Sequence, residues 1–167
     1  AYAAVPYASS IGLNPGYFGG HMLGVQYDPF PTGGDPNAAN FSVQNLKLSN
    51  GMTLERLEER RHLNATLDRI ARAVDQKGTF DAMNRFEHEA YQMVSGPSAR
   101  KAFDISLEDP RLRDQYGRHT WGQSTLLARR LVEAASTFVT VHFGGWDHHW
   151  DLEAGMNRYL PMVDSCV

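Results

Sequence analysis

The sequence predicts an α/β protein with a mostly parallel central sheet flanked by helices. Three observations predict it. The run Thr137-Phe138-Val139-Thr140-Val141-His142-Phe143 is rich in β-branched and aromatic residues, the composition of a strand. A helical pattern ends just before this run. Gly144-Gly145 and the start of a further helix come directly after it. Helix, short link, strand, glycine turn and helix in succession form the repeating unit of an α/β fold.

From the beginning, residues 1–40 are dense in Gly, Pro and Asn, with Tyr7, Tyr17, Phe18, Tyr27 and Phe30 set among them. This stretch predicts a long irregular loop anchored by aromatic side chains, of a length that suits a segment serving a site or covering another part of the fold. Phe41 to Leu48 alternates apolar and polar residues with a slip in the middle, which predicts a short edge strand. Thr53 is placed to cap a helix running to about Lys77, with Leu54, Leu57, Leu67, Ile70, Ala71 and Val74 on one face and Gly78 as its stop. The mixed charges of residues 55–72 suit a solvated face with i, i+4 pairs.

A second helix is expected from about Phe80 to Val94, closed by Ser95-Gly96-Pro97. Ser98 and Ser106 are placed to cap two shorter helices, around Ala99–Phe103 and Leu107–Tyr116, the latter broken by Gly117. A fifth helix, about Trp121–Ala135, turns Leu126, Leu127 and Leu131 to the core and Arg129, Arg130 and Glu133 to water. Residues 41–136 are thus mainly helical, and residues 137–167 carry the strand, a polar turn and the start of a helix, all within one partial domain spanning 1–167. A lone strand leaves its backbone groups unpaired on both edges, so its sheet partners are expected outside this chain. The opening without an initiator Met, and the stop within an apolar helical pattern at 160–167, predict an interior piece of a longer protein.

With 42% hydrophobic and 21% charged residues in 167, the composition is that of a globular domain. A formal net charge of −3 supplies no basic surface for phosphate backbones, so nucleic acid is not an expected partner. No apolar stretch reaches the roughly 18 to 20 residues that span a bilayer. The single Cys166 excludes an internal disulfide and a cysteine-rich zinc site, and reads as a small core residue. There is no Gly-x-Ser-x-Gly elbow and no phosphate-binding glycine loop.

Chemistry concentrates in His142-Phe143-Gly144-Gly145-Trp146-Asp147-His148-His149-Trp150-Asp151, which holds three histidines and two aspartates at the carboxyl end of the expected strand. In open α/β sheets that end is where ligands bind. The two glycines let the backbone turn sharply, and carboxylate oxygen with neutral imidazole nitrogen suits zinc or a similar divalent ion. Adjacent His148 and His149 do not easily reach one ion, so Asp147 with His149 is the better ligand pair, with His148 as a further candidate. Two other readings stand beside this one: exposed turn histidines, or a satisfied polar network over Trp146 and Trp150. The segment Arg118-His119-Thr120-Trp121-Gly122-Gln123 reads first as the turn that starts a helix and second as an anion site.

A series of motifs runs through the chain in order: Pro15-Gly16-Tyr17-Phe18-Gly19-Gly20, Tyr27-Asp28-Pro29-Phe30, Ala99-Arg100-Lys101-Ala102-Phe103-Asp104, Arg113-Asp114-Gln115-Tyr116-Gly117-Arg118, the stretch from Leu126 to Ala134, and Gly144-Gly145-Trp146-Asp147-His148-His149. Together they resemble the bacterial domain-of-unknown-function family DUF1501. That family is similar to the alkaline phosphatase and sulfatase superfamily, so the resemblance implies an alkaline-phosphatase-like sheet with one or two divalent metals at its carboxyl edge.

The resemblance further implies that Asp147 and His149, matching a Gly-Trp-Asp-x-His motif, are metal ligands, with His148 in the variable position. The catalytic nucleophile and remaining ligands would lie in family motifs absent from this chain. Twin-arginine export signals in many relatives imply periplasmic or extracellular work. The expectation is therefore an exported hydrolase of phosphate or sulfate esters, of small molecules or glycans, dependent on zinc, calcium or manganese. The alternative is a non-catalytic exported protein that binds metal or glycan.

Overall fold

A computed structural model describes residues 2–9, 12–24, 27–43, 51–53, 55–60, 62–63 and 96–167. The chain divides into two compact units, one of Ala1–Gln44 with Lys101–Val167 and one of Asn45–Arg100.

The first unit is built on a three-stranded parallel sheet of order β2-β1-β3, from β1 (Tyr2–Val5), β2 (Phe30–Pro31) and β3 (Phe138–Val141). The central strand is the most buried of the three: Ala4 and Val5 are fully enclosed and Ala3 nearly so. Its register sets Tyr2 against Phe138, Ala3 against Val139, Ala4 against Thr140 and Val5 against Val141, with Ala3 and Ala4 opposite Phe30 and Pro31 on the other edge. The ladder runs on past the strand ends, where Thr32 N–H donates to Ala4 O (2.9 Å) and His142 N–H to Val5 O (2.8 Å). Tyr2 packs edge-on against Phe138 and its hydroxyl lies 3.0 Å from Thr140 Oγ1.

This arrangement corrects two expectations. The stretch 1–40 is not wholly irregular, and β3 has a sheet partner within the chain. The physical reason is that a strand covered on both faces carries no period-two alternation, and two alanines give it no β-propensity signal. The aromatic anchoring is also narrower than expected. Phe30 packs against Phe103 with ring centroids 6.0 Å apart, whereas Tyr7, Tyr17, Phe18 and Tyr27 are exposed. What shapes the region around Gly20 is polar: Asp28 Oδ1 accepts from Gly20 N–H at 2.7 Å. Of the expected edge strand, Phe41–Val43 is not extended in a sheet and the remainder lies outside the described residues.

Four helices lie between residues 97 and 164: α1 (Pro97–Phe103), α2 (Pro110–Gln115), α3 (Thr120–Glu133) and α4 (Leu152–Asp164), with a 3-10 turn Ile105–Leu107 between the first two. The caps differ from those expected. Proline fills the first turn of α1, where its missing N–H goes unneeded. Asp104 accepts from Ser106 N–H, and Asp109 accepts from Arg111 N–H to start α2, so aspartates rather than Ser106 do the capping there, while Ser98 lies within α1. Gly117 does break the chain after α2, at φ +86°.

The α3 stripe of Leu126, Leu127 and Leu131 is buried against Ala3, Val5, Ala102 and Ile105, forming the core. Each such leucine contributes roughly 1.5–3 kcal/mol by leaving water. On the opposite face Arg129 and Glu133 are exposed, as expected, and pair with each other at 2.8 Å. Arg130 departs from expectation: it is largely covered, pairs with Glu108, and donates to Ala102 O (3.0 Å) and Lys101 O. Its guanidinium thereby satisfies the carbonyls that end α1. Gln123, fully buried, accepts from Arg113 Nε (2.7 Å) and donates to Arg113 O and Gly117 O (both 2.8 Å), which closes the turn between α2 and α3.

In the second unit residues 55–60 and 62–63 are helical, and Thr53 Oγ1 accepts from Arg56 N–H at 3.2 Å, the cap expected there. The rest of that helix and the expected helix at Phe80–Val94 lie outside the described residues. No helix among the described residues is long and apolar enough to cross a membrane.

Candidate functional site

Because the three strands are parallel, the segments after Val5, Pro31 and Val141 leave the sheet at the same edge. Gly33 N–H donates to Pro6 O (2.7 Å), joining the first two, and the rings of Tyr7 and His142 meet with centroids 4.9 Å apart, joining the first and third. The carboxyl edge that favours ligand binding in open α/β sheets is thus assembled from three separate stretches of sequence.

After His142 the chain turns at Gly145, whose φ of +89° suits glycine. Aromatic stacking holds the turn in place. Trp121, buried near the start of α3, stacks on Phe143 (5.1 Å), Trp146 (5.5 Å) and Tyr159 of α4 (4.9 Å). Beyond this stack, His149 Nδ1 lies 2.6 Å from Asp147 Oδ1, with the two side chains 68% and 83% exposed respectively. A neutral imidazole that donates Nδ1–H to Asp147 keeps Nε2 as an acceptor directed away from that bond, and Asp147 retains a second oxygen. This donor chemistry fits a divalent ion either through both side chains or through His149 oriented by Asp147. Two donors are half of a tetrahedral set. No group of three or more His, Cys, Asp or Glu residues poised for a metal occurs among the described residues.

The other polar residues of the segment separate from this pair. His148 faces the opposite way, stacked on Tyr159 (5.2 Å) with its Nε2 buried and without a hydrogen-bond partner. His142 stacks on Tyr7. Asp151 caps α4, accepting from Ala154 N–H at 2.9 Å, so it serves the helix. Trp150 is fully exposed. Tyr7, Trp121, Gly155 and Tyr159 belong to the surroundings of the turn; the first two are read from the sequence in other segments, and Gly155 and Tyr159 escape it. The available signal was the Gly155–Tyr159 spacing of four, which places both on one face of α4.

The segment 118–123 is the start of a helix. His119 Nδ1 accepts from Gly122 N–H (3.1 Å), and its Nε2 lies 3.2 Å from Ser165 Oγ, whose hydroxyl is also within reach of Tyr116 O (3.1 Å) and Met162 O (2.8 Å). Burial holds the His119 pKa below its ordinary value. Arg118 is held by Asp114 (2.5 Å) and Pro110 O (3.0 Å). Cys166 is half-buried and donates to Met162 O.

Fold and turn together define an α/β protein with a small parallel sheet and a His–Asp pair beyond its third strand. The family described as a protein of unknown function, DUF1501, matches residues 7–167, and the chain belongs to it. No curated protein and no solved structure matches the chain.

Proposed function

We propose that this chain is part of an exported, metal-dependent hydrolase of phosphate or sulfate esters, in which Asp147 and His149 contribute to a divalent metal site. The observation that carries the reading is the 2.6 Å contact between His149 Nδ1 and Asp147 Oδ1 on a solvent-facing turn at the end of a parallel strand. Zinc, calcium or manganese held there would act as a Lewis acid toward an ester oxygen or lower the pKa of a bound water. The chain's own part is narrower: His149 offers a nitrogen donor, Asp147 orients it or offers an oxygen, and the Trp121 stack holds the turn. The alkaline-phosphatase-like relationship and periplasmic or extracellular work belong to the same proposal.

A second reading has its own support. The pair is open to solvent and Trp150 beside it is fully exposed, an arrangement that suits binding of a metal or a glycan without turnover. Assay of the full-length protein against a panel of phosphate and sulfate esters, with zinc, manganese or calcium added, separates the two. Product release that Asp147→Ala abolishes supports the hydrolase. Metal or glycan binding with no turnover supports the second reading, and neither activity nor binding removes both.

A further inference from the structure

We infer that His148 is a positioning residue, whose ring is seated flat on Gly155 and Tyr159 of α4 so that its neighbours Asp147 and His149 are turned outward together. The seat is tight. A Cβ at Gly155 would meet Cγ, Cδ2 and Cε1 of His148 at 2.7 Å each, closer than real side chains approach, and the Tyr159 ring stacks on the same imidazole at 5.2 Å and 26°. Only glycine leaves room for a ring lying face-down on the helix. Gly155 and Tyr159 stand four residues apart, hence on one face, and the Asp151 cap fixes where that face begins.

The nitrogen of His148 supports a packing role. Nε2 is buried without a hydrogen-bond partner, so that end of the ring is held by packing on Gly155 and Tyr159. With His148 docked against α4, Asp147 and His149 on either side of it are left largely exposed, and they are in contact with each other. Sequence reading groups His148 with the ligands because it is a histidine among ligands. The geometry points to an aromatic spacer at that position.

This role deepens the metal-turn reading and rests on it only for its second readout. The first readout needs no metal: amide heteronuclear NOEs of Asp147 and His149 in the full-length protein, compared among wild type, His148→Phe, His148→Ala and Gly155→Ala. Phenylalanine keeps the flat ring and removes both nitrogens, so His148→Phe should retain wild-type order, while His148→Ala and Gly155→Ala should both loosen residues 147–149. The second readout is zinc titration, where His148→Phe should stay within about twofold of wild type and the other two variants should weaken zinc tenfold or more. Unchanged order in both His148→Ala and Gly155→Ala overturns the inference, as does a His148→Phe variant that loses zinc as fully as Asp147→Ala. A wild type that binds no zinc while the order pattern appears as stated removes the metal reading and leaves the positioning role standing.

Discussion

Asp147 and His149 are two residues apart and share a 2.6 Å contact, while His148 between them faces the other way onto Tyr159. The turn therefore sorts three adjacent polar side chains into an outward pair and an inward spacer. This sorting is held by the Trp121 stack on one side and α4 on the other, both of which rest on the sheet through α3.

The core under α3 should be sensitive to truncation. Leu127 is fully buried, and Leu127→Ala should destabilise the protein by about 2–5 kcal/mol through lost burial and the cavity left behind. Denaturant unfolding of wild type and variant checks this, and a change under about 1 kcal/mol would contradict the packing described.

Ala135, just past the end of α3, stands at φ +71°, where a side chain is disfavoured. Ser136 N–H donates to Leu131 O at 2.9 Å, a bond that needs this left-handed residue. Ala135→Gly should raise stability by about 0.5–1 kcal/mol, offset only in part by the greater freedom of glycine in the unfolded chain. Thermal unfolding reads the sign directly.

His119 gives the protein a pH dependence. Its pKa is lowered by burial, so the folded state binds fewer protons than the unfolded state as pH falls through the ordinary value of 6.5. Stability supplied by the neutral ring is present above that value and lost on acidification toward the folded pKa. Protonation also turns Nδ1 from an acceptor of Gly122 N–H into a donor facing it and places positive charge at a helix N-terminus. His119→Asn, which retains a capping oxygen, should flatten the fall in thermal midpoint between about pH 7 and 5. An unchanged slope would assign the pH dependence to other groups.

How far the fold was legible in the sequence depends on the kind of signal each element carries. Helix α3 shows itself because Leu126, Leu127 and Leu131 recur at helical spacing, and β3 because of its β-branched run. Strand β1 does not, since Tyr-Ala-Ala-Val buried on both faces has neither alternation nor a distinctive composition. The caps Asp104 and Asp109 lose to nearby serines in a local reading because several residues in the segment can cap, and only the backbone path selects one. Arg130 reads as a solvated charge because its partners Glu108, Ala102 and Lys101 are distant in sequence.

At the site, the pairing of Asp147 with His149 is readable from their spacing on a glycine turn. The inward turn of His148 is not, because it depends on a glycine and a tyrosine one helix later. Family membership over residues 7–167 agrees with the ordered motifs read from the chain.

A metal site at Asp147 and His149 is what the proposed function requires. Elemental analysis of the full-length protein and its Asp147→Ala/His149→Ala variant, purified side by side, tests it most directly. The expected result is a stoichiometric divalent metal in the parent that the variant lacks; a parent that stays metal-free after incubation with zinc, manganese and calcium rules the site out.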